Sequence, residues 1–215
     1  MRVSRLAALA AICLLCACTR PLAPAEEGFA QAIFGETLDT GRIGIAAGAG
    51  LMPPPREMPR MTFRRLDVPE TPCARTEPTP VTGPPAALVS FNRIHYFGRF
   101  RTADAMAGWP ERARMPHALL LAHELTHVWQ WQNRAVTGYH PFRAFLESLR
   151  APDPYFYRVD PGRPFLDYGY EQQAALVEDY VCHRLLDPEA PKMQALRTIL
   201  GPVFPLERLD AAIAR

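Results

Sequence analysis

The chain has 215 residues, of which 48% are hydrophobic and 21% are charged. A chain of this length can bury one sizeable core and is short for two full domains. Its formal net charge is +2, and its arginines are scattered singly rather than gathered in a block. The composition therefore favours a single globular domain and offers no electrostatic footprint for binding nucleic acid.

The first seventeen residues have the composition of an export signal. Arg2 and Arg5 precede an apolar run over residues 6–17, and a small residue stands directly before Cys18. An apolar run of about 12 residues is too short to cross a bilayer as a helix. The sequence Leu-Cys-Ala-Cys at the end of the run resembles a bacterial lipobox, which implies cleavage before Cys18 and lipidation of its sulfur. An ordinary secretory signal is the alternative.

Lipidation of Cys18 would make the membrane a binding partner, because two or more acyl chains give a stable anchor. Thr19 at the next position resembles the pattern that is sorted to the outer membrane of Gram-negative cells. We therefore expect a signal peptide over residues 1–17, a tether over residues 18–28, and a single domain over residues 29–215 that faces the periplasm.

Export also changes how the cysteines are interpreted. Once the signal is removed and Cys18 is lipidated, Cys73 and Cys182 remain as a candidate pair in an oxidising compartment. A bridge between them would close a loop of about 109 residues and contribute about 4 to 5 kcal/mol in the chain-entropy model. Two separately buried thiols are the alternative.

The first half of the mature chain reads as short elements around a proline-rich loop. Residues 28–35 predict a short helix that ends at glycine, and residues 40–48 predict a strand. Ten of the 23 prolines fall within residues 52–85, which excludes a long helix or a central strand there. Residues 87–100 are rich in β-branched and aromatic side chains and predict one or two strands.

The second half is predicted to be helical. Residues 116–136 form the clearest helix, because Pro116 suits a first turn and no breaker follows before Gly138. A second long helix is predicted over residues 169–186, with Asp167 as its cap. Two shorter helices are expected over residues 190–199 and 204–214. The fold class is therefore α+β, with few strands packed on the two long helices.

The first long helix contains the sequence His-Glu-Leu-Thr-His. His123 and His127 are four residues apart, about 40° in projection and about 6 Å along the axis, so their imidazoles leave one face and can converge on one ion. Glu124 lies one residue round the helix, where its carboxylate can take a proton from an attacking water without being a ligand. This is the geometry of the H-E-x-x-H motif. A buried face of this kind without a metal would need another source of charge compensation.

A catalytic zinc site needs a third protein ligand. No third histidine follows in the H-x-x-G-x-x-H pattern, since Asn133 stands six residues after His127. The second long helix offers Glu171, Glu178 and Asp179. Glu171 and Glu178 are seven residues apart, about 10.5 Å along the axis, so they cannot both bind one ion. We choose Glu171, on the first turn, and keep Glu178 as the alternative.

Three segments carry a resemblance to known proteins. The motif HELTH followed by a glutamate on a later helix resembles the gluzincin branch of the zinc metallopeptidases. AIFGETLDTGRIGI, HELTHVWQWQ and PFLDYGYEQQAALVEDY resemble, more closely, a group of bacterial Vgr-related proteins. The resemblance implies a small zincin-like metallopeptidase domain with one zinc ion. It also implies His123, His127 and Glu171 as ligands and Glu124 as the catalytic base.

The chain departs from the gluzincin pattern at one position. Gluzincins often place an aspartate four residues after the ligand glutamate to orient a histidine, and here that residue is Ala175. The orienting group must then be Asp179, Glu178 or a backbone carbonyl. Tyr168, Tyr170 or His183 could stabilise an oxyanion on the substrate carbonyl, although packing or capping is the ordinary role of such residues.

Three classes of function fit these observations. The first is a zinc-dependent peptidase (a hydrolase) at the cell envelope, acting on protein or peptidoglycan cross-links by attack of water on a peptide bond. The second is an inactive metal-binding lipoprotein with a role in assembly or binding, and the third is a toxin-like effector or a protein associated with one. Glu124 favours the first class, because a purely structural zinc site has no use for a general base.

The lipobox interpretation makes a direct prediction about anchoring. Cys18→Ser should release the protein from membranes or leave it unprocessed, because the acylated sulfur is removed, whereas Cys73→Ser should do neither. Membrane fractionation and the mass of the mature chain measure both effects. Equal membrane retention and processing of the Cys18→Ser variant would contradict lipidation.

Overall fold

The structure, a computed structural model, describes residues 19–48, 73, 77–79 and 85–214. In these residues the fold is mixed α+β, as predicted, with seven α-helices and one four-stranded sheet. The predicted signal peptide, Cys18 and most of the proline-rich loop lie outside the described residues. None of the described helices is both long and apolar enough to span a bilayer.

The helices and strands follow the predicted order with shifted ends. The strands are β1 (Thr19–Arg20), β2 (Gly44–Ala47), β3 (Ala87–Ser90) and β4 (Arg93–Tyr96). The helices are α1 (Pro24–Phe34), α2 (His117–Gln132), α3 (Arg134–Thr137), α4 (Pro141–Ser148), α5 (Tyr170–Leu186), α6 (Lys192–Leu200) and α7 (Leu206–Ile213). Short 3-10 turns occur at Gly35–Thr37, Thr40–Arg42, Gly98–Phe100 and Phe165–Asp167.

The sheet has the order β1-β2-β4-β3, in which β2 and β4 are parallel and the other pairs are antiparallel. β3 and β4 form a hairpin whose last pair is Ser90 with Arg93, so Phe91 and Asn92 make a two-residue turn. Phe91 has a φ of 58°. Such a turn normally favours glycine or asparagine, because a bulky side chain is strained at positive φ.

The predicted tether over residues 18–28 is wrong from Thr19 onward. Thr19 pairs with Ala46 in the sheet, and α1 already begins at Pro24. Glu26, which lies within the predicted tether, is fully buried. Residues 19–28 are therefore part of the fold that the structure describes.

Glu26 joins three parts of the chain. Its carboxylate accepts two hydrogen bonds from the Arg20 guanidinium, at 2.6 and 2.8 Å. It also accepts the backbone N–H of Ala23 at 2.8 Å and that of Ala105 at 2.8 Å. β1, the start of α1 and the loop before α2 are therefore connected through one buried carboxylate.

α2 and α5 pack against each other along their lengths and form the centre of the core. Leu121, Leu125 and Val128, which the sequence places on the core face of α2, are fully buried. α5 contributes Leu176 and Tyr180, which are also fully buried. This packing brings the histidine face of α2 opposite the acidic residues of α5.

α4 was not predicted. It has eight residues and buries only Ala144 well, while Phe142 and Phe145 are exposed, so it lacks the core-facing apolar stripe by which α2 was recognised. The first long helix also ends earlier than predicted, at Gln132. The short helix α3 follows it and ends at Gly138, which adopts the left-handed conformation.

A disulfide connects Cys73 to Cys182, with a Cα–Cα distance of 5.5 Å. Cys182 lies in the last part of α5. The bridge fastens the connection between β2 and β3 to the helix that also carries Glu171.

The role of Glu26 can be tested through stability. Glu26→Ala should lower the free energy of unfolding by about 3 to 5 kcal/mol, because it leaves the partly buried Arg20 without its counter-charge and the backbone N–H groups of Ala23 and Ala105 without an acceptor. Urea unfolding followed by circular dichroism measures the change. Glu36→Ala is the matched control, since the Glu36 side chain is 92% exposed. A loss below about 1 kcal/mol for Glu26→Ala would contradict this assignment.

Candidate metal centre

Three side chains from α2 and α5 meet at one point. His123 and His127 each direct Nε2 toward Glu171 Oε2, at 3.2 Å in both cases. Atoms that could bind a metal on the three residues all lie within 4.8 Å of one another. The two histidines are buried, and Glu171 is largely buried. The sequence-predicted ligand set is thus brought together by the packing of the two helices.

The spacing of these atoms suits a zinc ion. In a tetrahedral zinc site with bonds of 2.0–2.2 Å, neighbouring ligand atoms are about 3.3 Å apart. The 3.2 Å separations between Glu171 Oε2 and the two imidazole nitrogens match that value. Two imidazoles and one carboxylate are also a donor set found in catalytic zinc sites. The residues therefore fit the metal that the sequence suggested.

The other nitrogen of each imidazole is also held. His123 Nδ1 lies 3.1 Å from Glu178 Oε2, and His127 Nδ1 lies 2.9 Å from Gln130 Oε1. An imidazole that donates from Nδ1 keeps the lone pair of Nε2 for an ion. Glu178 thus provides the orienting group that the alanine at position 175 cannot, and Gln130 provides one that the sequence analysis missed.

Gln130 belongs to a buried amide network. Its Nε2 donates to Gln173 Oε1 at 2.9 Å and to the carbonyl of Tyr170 at 3.0 Å. Gln173 in turn donates to the carbonyl of Tyr168 at 2.7 Å. His127 is therefore connected through two glutamine side chains to the segment that begins α5.

The first turn of α5 is fixed by Glu147 from α4. The backbone N–H of Tyr170 donates to Glu147 Oε1 at 2.6 Å, in the position where Asp167 was predicted to cap the helix. Gly169 gives this carboxylate room, because a Cβ atom there would lie 2.5 Å from Glu147 Oε1. α4, the helix absent from the prediction, therefore sets the start of the turn that carries Glu171.

The cluster of His123, His127 and Glu171 favours a positive charge between the imidazoles and the carboxylate. Burial opposes protonation of His123, but the hydrogen bonds to Glu171 and Glu178 outweigh it and hold its pKa well above the ordinary value. Burial alone would raise the pKa of Glu171, yet His127 and His123 hold it well below the ordinary value. Either a proton or a metal ion at this point would balance the negative charge of the carboxylates. Metal binding and protonation therefore compete.

Glu124 lies beside the cluster without joining it. Burial raises the pKa of Glu124, while His123 and His127 oppose that shift. Glu124 is buried, with only 4% of its surface exposed. Even so, its carboxylate has no hydrogen-bond partner among the described residues. A buried carboxylate with free oxygens and a raised pKa is suited to accept a proton.

The remaining predicted candidates are engaged elsewhere. Asp179 accepts hydrogen bonds from the Tyr157 hydroxyl and the Lys192 ammonium group and does not contact the histidines. The Tyr168 hydroxyl bonds with the backbone of Asp160.

The last two candidates do not take part in the cluster either. The Tyr170 hydroxyl donates to the carbonyl of Gly138 at 3.0 Å. His183 is buried near the end of α5, and burial lowers its pKa.

Two other tyrosines lie beside the histidines. The ring of Tyr139 stacks near His127, with centroids 6.0 Å apart, and the ring of Tyr155 meets His123 edge-on at 5.5 Å. Burial raises the pKa of Tyr139, and the charges of Glu171 and Glu124 raise it further. Both tyrosines come from the segment between α2 and α5, where no periodic pattern marks them.

The comparisons with known proteins point in one direction. No protein-family model matches the chain. An 89-residue stretch, 40% of the chain, is 37% identical to the type VI secretion system spike protein VgrG2b of Pseudomonas aeruginosa. The match spans 8% of the length of that relative.

A solved structure is similar over most of the chain. The effector domain of Pseudomonas aeruginosa VgrG2b matches with a TM-score of 0.51 and 21% identity, covering 86% of this chain and 83% of that one. At this identity the likeness concerns the fold. The chain is thus similar in sequence to part of a Vgr protein and in fold to its effector domain, which fits the Vgr-related resemblance.

The ligand assignment predicts how metal content should respond to substitution. The purified protein should hold about one zinc ion, and Glu171→Gln should remove it, because a ligand charge is lost. Glu178→Gln should keep the zinc but weaken its binding by about 10- to 100-fold, because the residue orients His123 without binding the ion. Elemental analysis and competition with a chelator measure the two effects. Loss of zinc from Glu178→Gln with retention by Glu171→Gln would reverse the assignment.

Proposed function

We propose that this chain is an exported, zinc-dependent peptidase of the effector type. The observation that carries the proposal is the convergence of His123, His127 and Glu171, with Glu124 free beside them. A structural zinc site has no use for an unpartnered buried carboxylate next to its ligands. That residue therefore favours hydrolysis over a purely structural or assembly role.

The protein's own residues divide the chemistry of peptide hydrolysis between them. A zinc ion here would supply Lewis acidity, polarising the substrate carbonyl and acidifying water. Glu124 accepts the proton of the attacking water and then delivers it to the leaving amine. The ionised carboxylate of Glu124 is thereby regenerated. The raised pKa of Glu124 suits a group that must both take and return a proton.

Stabilisation of the oxyanion falls to Tyr139, whose ring stacks near His127. The hydroxyls of Tyr168 and Tyr170 instead donate to backbone carbonyls. A phenol held un-ionised by burial can donate a hydrogen bond to developing negative charge. The high pKa of Tyr139 keeps its hydroxyl protonated.

The effector part of the proposal rests on the similarity to VgrG2b. The fold match is to an effector domain, and the sequence match is to a spike protein of a secretion system. The lipobox at Cys18 and the Cys73–Cys182 disulfide favour the cell envelope as the place of action. The substrate class is a peptide bond in protein or in peptidoglycan cross-links.

A single substitution separates an enzyme from a metal-binding protein. Glu124→Gln should leave zinc content and folding nearly unchanged while lowering peptidase activity by at least about 100-fold, the usual scale for losing a general base. The assay compares zinc-loaded proteins on denatured casein, a peptide library and purified peptidoglycan. Glu36→Gln, an exposed glutamate outside the site, is the matched control and should retain full activity.

Two outcomes would count against the proposal. Background turnover by both the unaltered chain and Glu124→Gln on all three substrates would favour a metal-binding assembly or binding protein. Robust and equal turnover by both would mean that the base lies elsewhere.

A further inference from the structure

A groove lies beside β1, at one end of the sheet. It encloses a cavity of about 500 Å³ between the start of β1, the turn before β2 and the β3–β4 hairpin. Its lining includes Thr19, Arg20, Arg42, Phe91 and Arg93. None of these residues belongs to the candidate metal centre.

The groove carries two uncompensated positive charges. Arg20 is neutralised by Glu26, but Arg42 and Arg93 are exposed and have no carboxylate partner among the described residues. The Nε atom of Arg93 lies 3.9 Å from the position that a Cβ atom on Gly44 would take, and the Cβ atom of Thr19 lies 3.7 Å from the same position. The Arg93 side chain therefore lies over Gly44, beside Thr19.

An aromatic pair borders the same groove. Phe91, at the hairpin tip, is 50% exposed and adopts a φ of 58°. Its ring meets Trp131 edge-on at 4.8 Å, and Arg134 lies over the Trp131 ring at 4.4 Å. A strained, half-exposed phenylalanine where glycine or asparagine would fit better is not explained by the packing of the turn.

The position of the groove in the chain suggests what covers it. Thr19, on the rim, is bonded directly to Cys18, and adjacent Cα atoms are about 3.8 Å apart. Lipidation of Cys18 would bring the membrane surface to this edge of the domain. Unpaired arginines attract anionic headgroups, and phenylalanine and tryptophan favour the boundary between headgroups and acyl chains.

We propose that the groove and the hairpin tip form a docking surface for an anionic phospholipid membrane. Arg42 and Arg93 contact lipid phosphates, while Phe91 and Trp131 enter the interface beside them. Because Thr19, the chain neighbour of Cys18, is paired in the sheet, lipidation of Cys18 would hold the domain against the bilayer in one orientation. This proposal goes beyond the proposed peptidase function and does not depend on the metal centre.

Vesicle binding tests the surface apart from the lipid anchor. Residues 18–215 with Cys18→Ser contain every residue that the structure describes and carry no acyl chain. This protein should float with vesicles that contain phosphatidylglycerol and should bind pure phosphatidylcholine vesicles much more weakly. The difference should shrink as salt is added, because exposed charges are screened.

Two variants locate the binding surface. Arg42→Gln with Arg93→Gln should weaken binding to the anionic vesicles on the order of 20-fold, since each arginine near an anionic surface contributes about fivefold. The matched control is Arg150→Gln with Arg158→Gln, which removes the same charge from exposed positions outside the groove and should change binding less than about threefold. Phe91→Asn should also weaken binding several-fold, while keeping the melting temperature, because asparagine accepts positive φ.

Several results would overturn the proposal. An equal loss of vesicle binding in both double arginine variants would show that the attraction depends on overall charge and not on the groove. Equal binding of the unaltered protein to neutral and anionic vesicles would show that the arginines have no role. Binding of inorganic phosphate or soluble glycerophosphate at Arg42 and Arg93, without binding to vesicles, would make the groove a site for a free anion.

Discussion

The contact between Glu171 and the two imidazoles of α2 is the interaction on which the candidate site depends. One carboxylate oxygen lies 3.2 Å from Nε2 of both His123 and His127. These residues are separated by 44 and 48 positions in the chain, so they meet only when α2 and α5 are packed. Packing of the core and assembly of the site are therefore one event, and a cation at this point would stabilise the folded state.

The surrounding polar residues keep that contact in place. Glu178 and Gln130 hold the outer nitrogens of the two histidines, and Glu147 holds the first turn of α5. Each is a buried or half-buried group with a specific partner, so loss of one leaves a polar atom unsatisfied next to the site. The precision of the site thus comes from side chains that do not bind the metal themselves.

The sequence predicted the parts of the site that follow from local geometry. His123, Glu124 and His127 lie within one and a half turns of a helix, and their spacing alone indicates which face they share. The seven-residue separation of Glu171 and Glu178 led us to expect only one of them at the ion, but it did not reveal that they would contact opposite nitrogens of the same imidazole. Gln130, Tyr139 and Tyr155 were not predicted as site residues, because their role depends on contacts between distant segments. The tether was misassigned for a similar reason, because the contacts that bury Glu26 come from Arg20 and from the distant backbone of Ala105.

The disulfide has a consequence for the integrity of the site. Cys73 precedes the helix with both histidines, and Cys182 follows the two glutamates on α5. The connection between these helices, around residues 149–164, contains exposed backbone of the kind that proteases cut. A single cut there would divide the chain between histidines and glutamates, yet the bridge would keep both fragments in one molecule. The two histidines and the two glutamates would stay within reach of each other after such a cut.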